Sequence, residues 1–233
     1  MAKRLIEIKK RVDNSGADFE DYLTNSFSPQ VLSFLDNLSK KTDLYIFSGV
    51  IRNYFLHILE NRDIDLFMDG YFDIDLFLEK YEHKKNNFGG YKIHLSDNKI
   101  DIWFLKDTWA IKEYELVFDF DLPKYIPNTS FFNFSSIIYS CREKKFYYTK
   151  HFLRFLRDKE IDLLYLPNAN YSLCVINTIY YSEKYKLKVS DKLKSYIKKS
   201  VKNGLVDVEK IQISHFGRTI YSVSEIKHKI EIL

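Results

Sequence analysis

A Ser-Gly pair placed between an apolar run and a helical pattern constrains this chain more than any other sequence feature. Residues 44–47 are apolar and predict a short buried strand that stops at Ser48 and Gly49. Residues 50–60 predict a helix, and residues 63–68 predict a second strand. A strand, a glycine turn, a helix and a strand in this order indicate an α+β fold with a small mixed sheet flanked by helices.

Three aspartates fall on the predicted strands. Asp63 and Asp65 are two residues apart, so both carboxylates project from one side of a strand, with Cα atoms roughly 7 Å apart. Asp101 lies between Ile100 and Ile102 in a later predicted strand and faces away from them. Carboxylates this close repel one another unless a cation lies among them. Asp63, Asp65 and Asp101 are therefore the candidate catalytic residues and metal ligands, for two Mg²⁺ ions or alternatively Mn²⁺.

The Ser-Gly pair predicts a second part of the same site. Glycine allows a phosphate to approach the backbone closely, and the first turn of the following helix offers free N–H groups. Arg52 lies one turn into that helix and can reach the same group. Ser48, Gly49 and Arg52 are therefore the candidate nucleotide-binding residues.

The run FSGVIRNYFLHILENRDIDLFMD, residues 47–69, resembles the head domain of poly(A) polymerases and CCA-adding enzymes, which are polymerase-β-like nucleotidyltransferases. The resemblance implies that Ser48 and Gly49 bind phosphate, that Arg52 is the helix arginine, and that Asp63 and Asp65 are the metal pair. Asp101 would be the third carboxylate. More weakly, residues 133–140 lie where the family has its last head-domain strand and the following helix, and residues 170–197 resemble its neck helices.

The sequence departs from the family pattern at three places. Asn53 follows Arg52 where the family usually has aspartate, and residues 129–135 contain no arginine where the family has an Arg-Arg-Asp segment. The arginine-rich motif that selects the base in the neck is not evident. The base, the sugar and the acceptor therefore stay open, and a specialised toxin or antiviral-defence role is expected rather than housekeeping tRNA repair.

The sequence predicts three regions. Residues 1–27 are polar and predict an N-terminal extension, residues 28–140 the nucleotidyltransferase head, and residues 141–233 a mostly helical, neck-like domain. Ser28 and Pro29 predict the start of a helix, as N-cap and first turn. Asp73 and Asp75 repeat the Asp-x-Asp spacing, but they predict the start of a helix rather than a metal site.

The amino-acid composition excludes several other classes of protein. The chain has 233 residues, of which 45% are hydrophobic, so a sizeable core can be buried. Two cysteines exclude a disulfide scaffold, and no apolar run approaches the roughly 18 residues of a membrane span. A cytoplasmic location is expected. The net charge of +4 permits an anionic partner, and the lysines between residues 184 and 202 are either a solvated face or a contact surface for nucleic acid.

Two functions follow as alternatives. The first is a template-independent nucleotidyltransferase that takes an NTP or a dNTP, adds the nucleotide to a hydroxyl of an RNA 3′ end or an oligonucleotide, and releases pyrophosphate. The second is a catalytically inactive module with the same fold that binds nucleic acid or a partner protein. The sequence leaves the oligomeric state open, with a homo-oligomer among the options.

Overall fold

The computed structural model describes residues 5–86, 89–108, 111, 122–166, 171–202 and 204–233. The helices are α1 (Leu5–Asp13), α2 (Gly16–Ser26), α3 (Pro29–Ser39), α4 (Gly49–Phe55), α5 (Ile74–Leu78), α6 (Leu122–Tyr125), α7 (Lys150–Asp158), α8 (Tyr171–Tyr185), α9 (Asp191–Lys202), α10 (Val208–Phe216) and α11 (Val223–Glu231). The strands are β1 (Asp43–Phe47), β2 (Asp63–Asp69), β3 (His83–Lys85), β4 (Tyr91–Leu95), β5 (Asn98–Phe104), β6 (Ile137–Ser140), β7 (Lys145–Tyr148), β8 (Glu160–Ile161) and β9 (Lys188–Val189). Short 3₁₀ helices cover Leu105–Asp107, Ile126–Thr129 and Asn133–Ser135.

A mixed sheet organises the molecule. Its seven strands have the order β3-β4-β5-β2-β1-β6-β7, and β2 and β5 run parallel while the other neighbours are antiparallel. β8 and β9 form a separate parallel pair. The region after the sheet is mostly helical. These observations confirm the predicted fold class.

The two faces of the sheet differ in what covers them. On one face, alternate residues of β2 and β5, including Ile64, Leu66 and Ile100, are fully buried in the main core. On the other face, Phe67 packs against Trp103 and Phe47 in a smaller apolar cluster. The aspartates of β2 and β5 share this second face, as the period of two in a strand requires.

The local signals at helix starts are confirmed. The Ser28 side chain accepts a hydrogen bond from the Val31 N–H, and Pro29 opens α3. The Asp73 carboxylate accepts a hydrogen bond from the Leu76 N–H at 3.0 Å and caps α5. Asp73 is therefore a helix cap, as its position predicted.

The helix predicted for residues 50–60 ends earlier, at Phe55. His57 takes a left-handed conformation with φ of 60°. The Ile58 N–H donates to the Asn53 carbonyl, and the His57 N–H donates to the Tyr54 carbonyl. This pair of bonds closes the helix end and directs the chain back toward β2.

Residues 5–26 form α1 and α2, elements that the polar composition of residues 1–27 did not indicate. Phe19 is fully buried, and its ring lies within 4.8–5.2 Å of Tyr54, Tyr139 and Phe146. The two helices therefore contribute to the same core as the sheet.

The sheet also continues past residue 140, where the sequence predicted the end of the head domain. β6 ends at Ser140, and β7 pairs with it antiparallel, with Ile137 opposite Tyr148. The predicted domain boundaries stay predictions, but the sheet itself extends to Tyr148. Among the described helices, none is long and apolar enough to span a membrane.

Candidate active site

The three aspartates lie side by side on one face of the sheet. In the parallel pair of β2 and β5, Asp65 lies directly opposite Asp101, and Asp63 lies opposite Lys99. Residues opposite each other in neighbouring strands point to the same face. The structure therefore brings together the three carboxylates that the sequence singled out, on the face away from the main core.

Each of the two outer carboxylates is bound to a cationic side chain. The Arg62 guanidinium donates to both oxygens of Asp63, from Nε at 3.0 and 2.9 Å and from Nη2 at 2.5 Å. Lys92 Nζ lies 3.0 Å from Oδ1 of Asp101 and donates to Oδ2 at 3.1 Å. The contact of Lys92 with Oδ1 is an ion pair without hydrogen-bond geometry, so this buried oxygen accepts no hydrogen bond from the described residues. The mutual repulsion of the carboxylates is thus partly compensated within the protein.

The central carboxyl group is electrostatically distinct. Burial raises the pKa of Asp65 to about 7, and the carboxylates of Asp101 and Asp63 act in the same direction. Arg52 and Lys92 oppose this rise through their positive charges. Asp65 therefore needs additional positive charge nearby to stay ionised at neutral pH.

The donor set can be compared with the needs of a metal ion. In the described part of the chain, no group of three or more His, Cys, Asp or Glu side chains is arranged to hold a metal as it stands. However, the three carboxylates share one face of the sheet, and a cation among them would offset the burial and mutual repulsion that raise the pKa of Asp65. The residues therefore fit Mg²⁺ or Mn²⁺ once Asp63 and Asp101 are released from their ion pairs with Arg62 and Lys92.

Ser48 and Gly49 form the turn between β1 and α4. Ser48 has φ of 52°, and its hydroxyl donates to Ser135 Oγ at 2.8 Å. A Cβ atom added to Gly49 would meet Arg52 Nη2 at 3.9 Å and no nearer atom. The missing side chain therefore leaves the guanidinium of Arg52 uncovered on this side.

Arg52 is buried, yet among the described residues no carboxylate lies within ion-pair distance of it. Its guanidinium carbon lies 5.0, 5.1 and 4.7 Å from the ring centres of Phe134, Tyr181 and Tyr185. Nη2 donates to the Tyr185 hydroxyl at 2.8 Å and to Asn53 Oδ1 at 3.2 Å. The rings and neutral acceptors hold the cation in place without neutralising it.

All six residues predicted for the site line one cavity of about 500 Å³. The predicted set is Ser48, Gly49, Arg52, Asp63, Asp65 and Asp101. Helix α8 forms the opposite wall through Asn177, Tyr181 and Lys184, and α10 adds His215. Burial lowers the pKa of His215, as does the nearby Arg62. The cavity thus lies between the sheet and the C-terminal helices.

Several residues of the cavity were not found from the sequence. Lys92 could have been predicted, because a two-residue turn after Leu95 sets a hairpin register that places Lys92 opposite Asp101. Tyr185 and Asn177 carry no such local signal. Asn177 lines the cavity, and its Oδ1 is buried and accepts no hydrogen bond from the described residues.

Three solved structures that are similar to this chain share one fold. The chain is similar to a Thermotoga maritima CCA-adding enzyme complexed with tRNA, with a TM-score of 0.64 and 13% identity over 92% of this chain and 53% of that one. The chain has the fold of the polymerase-β-like nucleotidyltransferases. A CCA-adding enzyme in complex with CTP gives a TM-score of 0.62 at 14% identity, over 92% of this chain and 54% of that one.

A tRNA nucleotidyltransferase bound to a primer tRNA and an ATP analogue gives a TM-score of 0.57 at 16% identity. That match covers 85% of this chain and 58% of the other. The chain thus spans about half the length of these enzymes. No protein-family model matches it, and the comparison with curated proteins yields no match.

Proposed function

We propose that this protein is a template-independent nucleotidyltransferase that takes an NTP or a dNTP and transfers the nucleotide to a hydroxyl group, with release of pyrophosphate. The observation that carries the proposal is the placement of Asp63, Asp65 and Asp101 on one sheet face, in the same cavity as Gly49 and Arg52. The fold shared with CCA-adding enzymes supports it.

The proposed roles follow from charge and position. The Arg52 guanidinium, beside the side-chain-free Gly49, would accept the triphosphate, since no carboxylate of the described residues lies within ion-pair distance of it. The Ser48 hydroxyl lies at the same turn. Asp101, beside Asp65, is the group best placed to take the proton of the attacking hydroxyl.

Asp63, Asp65 and Asp101 would hold the metal, as two Mg²⁺ ions or Mn²⁺. When bound, such ions supply positive charge that activates the acceptor hydroxyl and stabilises the departing pyrophosphate. The acceptor we propose is an RNA 3′ end or an oligonucleotide, because structural neighbours were solved with tRNA and nucleotides. A toxin or antiviral-defence role stays a prediction from the missing base-selecting arginines.

The experiment is incubation of the protein with each labelled NTP and dNTP, Mg²⁺ and an RNA pool, with detection of pyrophosphate and labelled product. We expect product from the wild type and none from the variant with Asp63→Ala and Asp65→Ala. The matched control carries Asp73→Ala and Asp75→Ala, because this pair has the same spacing but lies at the start of α5. Equal activity of the wild type and the first variant would refute the proposal.

A second candidate is a catalytically inactive module that binds nucleic acid or a partner protein. The ion pairs of Asp63 with Arg62 and of Asp101 with Lys92 favour it, because they balance the charges of the outer carboxylates without a metal. This candidate predicts that no nucleotide and no acceptor in the screen yields pyrophosphate. It also predicts that the binding of RNA is unchanged when Asp63 and Asp65 are replaced.

A further inference from the structure

We infer that Lys92 is an internal counter-ion, which holds Asp101 in the free protein and releases it when a divalent cation binds. This inference rests on the proposed function, because it concerns the same carboxylates. It adds a residue that sets how tightly the free protein binds the cation.

The geometry places Lys92 where it competes for Asp101. The two residues lie opposite each other in the antiparallel pair of β4 and β5, so their side chains share one face. Lys92 Nζ is 3.0 Å from Oδ1 and 3.1 Å from Oδ2 of Asp101. The ammonium group therefore approaches both oxygens that a cation would need.

The charges make shared occupancy unfavourable. An ammonium group and a divalent cation at the same carboxylate are like charges a few ångströms apart in a partly buried site, where screening by water is weak. One of the two must leave. The Lys92 side chain is 44% exposed and Asp101 only 16%, so the lysine is the group free to swing into solvent.

A lysine is suited to this exchange. Its ammonium is a compact charge on a flexible four-carbon stem, and a partly exposed ion pair of this kind is weak enough to be replaced. In the free protein the pair offsets the repulsion between Asp101 and Asp65, which lie opposite each other. Lys92 would thus keep the carboxylates together before the cation arrives, and lower the affinity for that cation.

The test measures binding of Mn²⁺ to the free protein, without nucleotide, by titration calorimetry or by electron paramagnetic resonance. We expect Lys92→Met to bind Mn²⁺ roughly fivefold more tightly than the wild type, the effect that one partly exposed ion pair supports. We also expect its melting temperature to fall without divalent cation and to recover when Mn²⁺ is added. The matched control is Lys84→Met, because Lys84 is exposed and lies opposite Lys92 on β3.

The outcomes separate the two proposals. If Lys92→Met binds Mn²⁺ as the Lys84→Met control does, or more weakly, the role of Lys92 is wrong. The variant with Asp63→Asn and Asp65→Asn reports on the proposed function, because it should lose Mn²⁺ binding. If that variant binds as the wild type does, the carboxylate site itself is wrong, whatever the result at Lys92.

Discussion

Gly49 is the residue whose lack of a side chain leaves room for the proposed phosphate site beside Arg52. It is the first residue of α4, and a Cβ atom placed there would lie in ordinary van der Waals contact with Arg52 Nη2, at 3.9 Å. No nearby atom has to move for that carbon to fit. Alanine at this position would therefore leave the fold intact and occupy space that the triphosphate needs.

We accordingly predict that Gly49→Ala folds normally and binds nucleotide less well. Replacing a helical glycine by alanine stabilises a protein by about 0.5–1 kcal/mol, so the melting temperature should stay the same or rise. The KM for the NTP should rise about tenfold, which corresponds to about 1.4 kcal/mol of binding. Steady-state kinetics and a thermal melt measure both quantities, and an unchanged KM would contradict the proposed phosphate site.

Helix α2 shows at the scale of an element how much of the core lies outside the recognisable motif. Phe19 is fully buried among aromatic rings, although the sequence around it is polar. We predict that Phe19→Ala lowers the free energy of unfolding by about 3–5 kcal/mol, because it leaves a cavity in a packed interior.

Urea denaturation measures this loss, and Asp18→Ala is the control. Asp18 precedes Phe19 in the same helix but is exposed, so its replacement should change the free energy of unfolding by no more than about 0.5 kcal/mol. Equal effects of the two substitutions would mean that α2 does not pack as described.

Helix α8 carries an asparagine in the wall of the cavity. Asn177 presents a buried oxygen with no hydrogen-bond donor among the described residues, in the wall of the cavity. A substrate that brings a donor to this oxygen is favoured, since an unsatisfied buried acceptor costs about 1–3 kcal/mol. We predict that Asn177→Leu shifts the ratio of kcat/KM between at least two NTPs about tenfold.

The melting temperature of Asn177→Leu should not fall, because no group among the described residues hydrogen-bonds to this side chain. Asn128→Leu is the control, since that amide is exposed and lies outside the cavity. A uniform loss of activity with all four NTPs would contradict a role in base choice.

At the scale of the whole molecule, the C-terminal helices are tied to the helix that lines the cavity. Glu183 of α8 accepts hydrogen bonds from the Tyr221 hydroxyl at 2.7 Å and from Lys229 of α11. Burial raises the pKa of Glu183, but the two hydrogen bonds and the positive charge of Lys229 together lower it more, so the pKa lies below the ordinary value of 4.5. The ionised form is therefore favoured in the folded state.

A group with a lowered pKa in the folded state contributes stability above its unfolded pKa, and that contribution is lost as the pH falls through the folded pKa. We predict that the wild type is more stable than Glu183→Gln at pH 7. The difference should shrink as the pH falls below 4.5. Urea denaturation at a series of pH values measures this difference. A difference that stays constant with pH would assign the effect to packing instead.

Part of the site could be predicted from sequence because it depends on local periodicity. A strand sends alternate side chains to opposite faces, so the buried residues Ile64 and Leu66 place Asp63 and Asp65 on the other face. Ile100 and Ile102 are buried too, so the residue between them, Asp101, points to the same face as Asp63 and Asp65. Ser28 and Asp73 capped their helices as their residue types indicate.

Only the tertiary structure decided what surrounds these residues. Arg52 and Tyr185 are separated by 133 positions, yet their side chains are 2.8 Å apart, and no local pattern encodes such a contact. The burial of α2 and the ion pair of Asp101 with Lys92 depend in the same way on how elements pack and pair. Backbone geometry repeats every few residues and can be read locally, whereas packing depends on chain segments that meet only after folding.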